Sequence, residues 1–136
     1  MTLQTEFVAK ALVTMRAHML LGPLPVIGIY LKSREKRGIV LADDNEGVNY
    51  VYSRTMANVS KSHDQVGCVG LEVNVIERGV EKRQIALLLQ FGSEKFTQWF
   101  DFNRKEDGSV TLNELDREAG HDDSLLSGWS SEASSA

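Results

Sequence analysis

Between residues 67 and 115, four runs of alternating side chains follow one another with only short breaks. Leu71, Val73 and Val75 alternate with Glu72 and Asn74. Past Arg78-Gly79, Ile85, Leu87, Leu89 and Phe91 alternate with Ala86, Leu88 and Gln90. Residues 92–95 lead into a third run at 96–102, and residues 103–108 into a fourth at 109–112. Side chains that recur every second residue stand on one face of a pleated strand. Short turns between such runs join neighbours antiparallel. The segment is therefore expected to be a β-meander.

The second run is apolar on both faces: Ile85, Leu87 and Leu89 on one, Ala86 and Leu88 on the other. A strand of that kind needs cover on both sides. Residues 3–20 offer one cover. Val8, Leu12, Met15 and Met19 repeat at helical spacing, so the segment reads as an amphipathic helix. Thr2 or Thr5 can cap its start, and Gly22-Pro23 stops it. For the second face, the expectation is either the remaining strands or a second copy of the chain, so a homodimer or small oligomer is expected.

Strand-like runs at 26–31, 38–42 and 48–53 suggest a first three-stranded unit, with 55–65 as a polar loop leading into the meander. Residues 112–119 read as a short terminal helix. From residue 120 onward six residues are serine, and Asp122, Asp123 and Glu132 are acidic. Such a stretch buries too little apolar area to offset its ordering entropy. The expected fold class is α+β: an N-terminal amphipathic helix on an antiparallel β-meander in one domain, 1–119, and a flexible acidic tail, 120–136.

With 136 residues the chain is long enough for a core that needs neither metals nor disulfides. Its one cysteine, Cys68, rules out an intramolecular disulfide and points to a reducing, cytoplasmic setting. Glu6, Lys10 and Arg16 interrupt any N-terminal signal sequence. The most apolar run, 19–31, is broken by Gly22, Pro23 and Pro25 and is too short to span a membrane. Charge is unevenly placed: residues 101–136 hold nine acidic and three basic side chains, against a net charge of −4 for the whole chain.

Three constellations bear on function. Lys32, Arg34, Lys36 and Arg37 form a basic connector, with Tyr30, Tyr50, Tyr52 and Arg54 expected on or beside neighbouring strands. Cations that track phosphates beside rings that stack on bases are what single-stranded nucleic acid requires. The layout of a β-domain followed by an acidic tail is similar to that of single-stranded-DNA-binding proteins, although a pI near 5.4 is low for such a domain.

Residues 107–114 resemble the second half of an EF-hand calcium loop. Gly108 stands where that family places its turn glycine, Val110 its apolar residue and Glu114 its bidentate carboxylate. Phe96, Trp99 and Phe100 have the spacing of an entering helix. The resemblance implies calcium held by Asn103, Asp107, Ser109 and Glu114. It fails at Lys105, a cation where an oxygen ligand is needed.

In the tail, Leu125, Leu126 and Trp129 are apolar side chains in a polar setting, a pattern that can dock on a partner or fold back on the sheet. Catalytic patterns are thin. His63, Asp64, Ser60, Ser62 and Cys68 are sequence neighbours in a polar stretch, without a phosphate loop, nucleophile elbow or HExxH. The expectation is a non-enzymatic binding protein, without cofactor or membrane association. It would act on a protein partner through Leu125, Leu126 and Trp129 and the sheet edges. Nucleic acid is the alternative, and calcium the third.

Overall fold

The structure is a computed structural model and describes residues 2–33, 36–42 and 47–115. Helix α1 (Leu3–Met19) opens the chain. Strands β1 (Ile27–Ser33) and β2 (Lys36–Leu41) follow, then helix α2 (Gly47–Lys61). Four strands complete it: β3 (Val66–Glu77), β4 (Val80–Phe91), β5 (Glu94–Arg104) and β6 (Val110–Leu115). They form one six-stranded antiparallel sheet in the order β2-β1-β3-β4-β5-β6. The α+β class and the meander are as expected. No described helix is long and apolar enough to cross a membrane.

Local chemistry explains the ends. The Thr2 hydroxyl accepts the Thr5 amide at 3.1 Å and caps α1. Arg104 closes the other end: its guanidinium donates to the carbonyls of Met19 and Gly22, and to that of Gly108 in the β5–β6 turn. The last turn of a helix leaves carbonyls without partners, so a cation there is doubly favourable. A two-residue turn, Arg78-Gly79, joins β3 to β4 with φ of +52° and +78°. Positive φ at both positions matches the right-handed twist of the strands it connects.

The register divides side chains between two faces. Cys68, Gly70 and Glu72 share one face with Leu89, Leu87 and Ile85 and with Phe96, Gln98 and Phe100. On this face α1 packs Phe7, Ala11, Met15 and Met19 into the main core with Ile27, Ile29, Leu87 and Val110. Val8 and Leu12 only flank this contact. The other face carries Val69, Leu71, Ala86 and Trp99, and α2 adds Val51 to that cluster. Fully burying an aliphatic side chain is worth about 1.5–3 kcal/mol, so both helices are held chiefly by these stripes.

Helix α2 corrects the expected first unit. Residues 48–53 are not a strand, and most of 55–65 is not a loop. Val48, Tyr50 and Tyr52 alternate as a strand would, but Val51, Thr55 and Val59 recur at helical spacing and are all buried. Their floor is glycine. A Cβ at Gly28 would lie 1.8 Å from Thr55 Oγ1, and one at Gly67 2.3 Å from Val59 Cγ2. The bare backbone lets a helix settle close to the sheet, and tertiary packing overrides local β propensity. Likewise, 112–115 belongs to β6 rather than to a terminal helix; 116–119 lies outside the described residues.

Candidate functional site

Strand β2 is an outer edge of the sheet. Ile39 pairs with Ile29 and Leu41 with Ile27, which puts both on the α1 face. Their partners on β1 are fully buried, but Ile39 and Leu41 remain 49% and 45% exposed. Lys36 and Arg37 begin the same strand and are exposed, as is Lys32 across the hairpin. The outer side of an edge strand presents backbone N–H and C=O groups that its own sheet does not use. This edge thus combines free ladder positions, two large apolar side chains and a basic end.

The expected nucleic-acid set does not assemble into one platform. Tyr30 lies on the α2 face across Gly38: a Cβ there would come within 2.1 Å of its ring. Tyr50, Tyr52 and Arg54 are on α2, not on strands. Two residues apart on a helix means about 200° of rotation, so Tyr50 and Tyr52 leave opposite flanks. Each ring already has a cation of the protein beside it. The Arg54 guanidinium sits 5.6 Å from the Tyr50 ring centroid, and the Lys95 ammonium 6.0 Å from that of Tyr52. Lys95 also donates to the Tyr52 hydroxyl at 3.2 Å. Arg34 lies outside the described residues.

The 101–114 segment is a β-hairpin. Lys105 N–H donates to Ser109 C=O at 2.8 Å, and Gly108 N–H to Lys105 C=O at 3.0 Å. Asp107 Oδ1 accepts from the Ser109 amide at 2.9 Å and from its hydroxyl at 2.6 Å. These bonds, led by the hydroxyl, hold the Asp107 carboxyl below its ordinary value. Asn103 stands opposite Thr111 and Glu114 opposite Phe100, so they point to opposite faces. Phe96, Trp99 and Phe100 lie in β5 rather than in an entering helix. The expected ligands Asn103, Asp107, Ser109 and Glu114 therefore do not converge. Among the described residues no group of three or more His, Cys, Asp or Glu side chains could hold a metal ion.

Among the described residues, three of the nucleophile candidates are engaged separately. The Ser60 hydroxyl donates to Ala57 C=O within α2, and that of Ser62 accepts the Gln65 amide. Cys68 is buried on the α1 face, and burial pushes its thiol up to about 12. That is the environment of an inert cysteine.

The α2 face is the feature that sequence reasoning missed. Helix α2 packs over β1, β2 and β3. Beyond it, β4, β5 and β6 carry Ala86, Leu88, Trp99 and Leu115 into the same cluster. Backbone pairing of β4 with β5 stops at Ile85–Phe100, and one step further Gln84 Nε2 donates to Asp101 Oδ1 at 3.1 Å. Gln84 is buried there beside the apolar residues. Glycines inside apolar strands, Gly28 and Gly67, were the available signal for a second helix. Leu125, Leu126 and Trp129 lie outside the described residues. No family model, curated protein or solved structure significantly matches this chain.

Proposed function

We propose that the protein is a protein-binding module whose β2 edge takes an extended segment of a partner as an added strand. One observation carries this reading: the outermost strand of the sheet bears two half-exposed aliphatic side chains, Ile39 and Leu41. In strand addition, main-chain hydrogen bonds supply affinity and alternate side chains supply specificity. The fitting segment alternates apolar side chains beside Ile39 and Leu41 and places carboxylates near Lys36 and Arg37. A reducing, cytoplasmic setting suits a chain whose single cysteine is a buried free thiol.

Peptide display against the full chain tests this directly. Enriched peptides should share that alternation and lose about tenfold or more in affinity, some 1.4 kcal/mol, to Ile39→Asp/Leu41→Asp. Val80→Asp, at an exposed apolar position on the β3–β4 hairpin, should leave them unaffected. Peptides without a shared pattern, or equal loss in both variants, would rule out the edge. The exposed cations Lys32, Lys36 and Arg37 favour nucleic acid as the second reading. Binding of a labelled single-stranded oligonucleotide that falls steeply with salt, and is lost in Lys36→Glu/Arg37→Glu, would put it first.

A further inference from the structure

One flank of helix α2 is turned toward the β2 edge. Val51, Thr55 and Val59 are the buried stripe of the helix and face the sheet. At about 100° per residue, Tyr52 leaves α2 to one side of that stripe, and Arg54, Asn58 and Lys61 leave it to the other. The Tyr52 side is fixed, because its hydroxyl meets Lys95 at the start of β5. The Arg54 side is therefore the one toward β2, which α2 also contacts. The glycine floor gives the direction of the helix. Thr55 stands over Gly28, which pairs with Val40. Val59 stands over Gly67, level with Tyr30 and Gly38. Helix α2 thus runs antiparallel to β2, from Arg54 near the level of Val40 to Lys61 near that of Lys36.

Strand β2 alternates in the same frame. Ile39 and Leu41 face the α1 side, whereas Gly38 and Val40 face α2. Lys36, two residues before Gly38, shares the α2 side. Charge here has one sign. The described residues of β1, β2 and α2 include Lys32, Lys36, Arg37, Arg54 and Lys61, all exposed, and no Asp or Glu. The chain as a whole carries a net charge of −4. Elsewhere Lys10, Lys82 and Arg83 are each bridged to a carboxylate. Among the described residues, none of these five cations is.

Resting on the β2-edge reading, we propose that α2 selects what the edge accepts: a segment apolar on the side facing α1 and acidic on the side facing α2. An added strand lies about 5 Å outside β2 and points successive side chains to opposite faces. One set lies beside Ile39 and Leu41. The other lies beside Val40 and Lys36, below the flank that carries Arg54 and Lys61, whose long stems let the charged heads reach outward. Carboxylates are favoured there and basic side chains are repelled. Arg54 and Lys61 are then specificity-determining residues, although neither belongs to the edge.

The test uses the full chain and two labelled peptides of six residues, the length of β2. One alternates valine with glutamate, the other valine with glutamine. The glutamate peptide is expected to bind more tightly, by a margin that shrinks as salt is raised. Arg54→Glu/Lys61→Gln should weaken the glutamate peptide about tenfold at low salt and leave the glutamine peptide unchanged. Arg16→Glu, which reverses an exposed cation on α1, should affect neither. Ile39→Asp/Leu41→Asp should weaken both. Equal affinity for the two peptides, or equal loss of both in the α2 variant, would overturn the selection by α2 while leaving the edge standing. Binding of neither peptide would overturn the edge and the selection together. A single-stranded oligonucleotide that displaces the glutamate peptide, and is itself lost in the α2 variant, would assign these cations to nucleic acid and overturn the proposal as well.

Discussion

At Thr55 and Cys68 the interior holds polar atoms whose cost can be measured. Thr55 Oγ1 is buried without a hydrogen-bond partner, wedged over Gly28. A hydroxyl that forfeits water and gains nothing costs roughly 1–3 kcal/mol. Thr55→Val keeps the shape and removes that cost, so urea unfolding is expected to show equal or higher stability, by about 1 kcal/mol. Gly28→Ala should do the opposite, losing about 1–3 kcal/mol to overpacking, because its Cβ would collide with Thr55. For Cys68 the sign follows from its raised pKa. In the unfolded chain the thiol ionises near its ordinary value, 9.0, while in the fold it stays protonated up to about 12. The stabilisation is complete below pH 9 and is lost as pH rises from there towards 12. The slope is about −1.4 kcal/mol per pH unit. Denaturation curves of the native chain and of Cys68→Val, compared from pH 8 to 11, should diverge by that slope. A thiol reagent should label Cys68 only on unfolding.

Among the elements, α1 and the β3–β6 meander were legible because their periodicities are clean and their punctuation is strong: Thr2, Gly22-Pro23, Arg78-Gly79 and Gly92. The α2 segment was not, because 48–53 satisfies a strand's alternation and a helix's repeat together. Only the glycine floor of β1 and β3 decides between them, and that floor is distant in sequence. For the same reason the sequence pattern groups Tyr50 and Tyr52 with Tyr30, although a helix sends them apart. The EF-hand likeness failed because a sequence match cannot say whether the flanks are helices or paired strands. The β3–β4 turn offers its own test. Arg78 sits at φ +52°, where a residue with a Cβ is strained and Asn or Gly is favoured. Arg78→Asn is expected to stabilise the protein by about 0.5–1 kcal/mol, seen as a higher urea midpoint at unchanged m-value.

Across the whole molecule, one sheet serves two cores. Leu87 points into the α1 core and Val51 into the α2 cluster, while neighbouring residues of β3 and β4 contribute to both. Loss of either helix would expose a face of the same central strands, so the two cores should fail together. Leu87→Ala should cost about 2–5 kcal/mol and Val51→Ala less, about 1–3. In each variant tryptophan fluorescence and far-UV circular dichroism should report a single coincident transition. Two separated transitions would mean that the α1 and α2 layers melt independently. The apolar excess of β4, which in the sequence argues for a second copy of the chain, is met in part by α2.

Arg104 fastens the end of the first helix to the last hairpin, across a separation of 85 residues. On a ribosome that distance is time. At about 5–20 residues per second, α1 waits roughly 4–17 s between its own synthesis and the arrival of the arginine that clamps it. Its seats on Phe91, Phe100 and Val110 emerge just as late. Helix α1 is thus made before its seats and is among the last of the described elements to be housed. Through most of translation its Phe7, Met15 and Met19 stripe is open to whatever waits at the exit tunnel. A nascent chain stalled before residue 104 should therefore recruit holdase chaperones through α1, and release them once the hairpin has cleared.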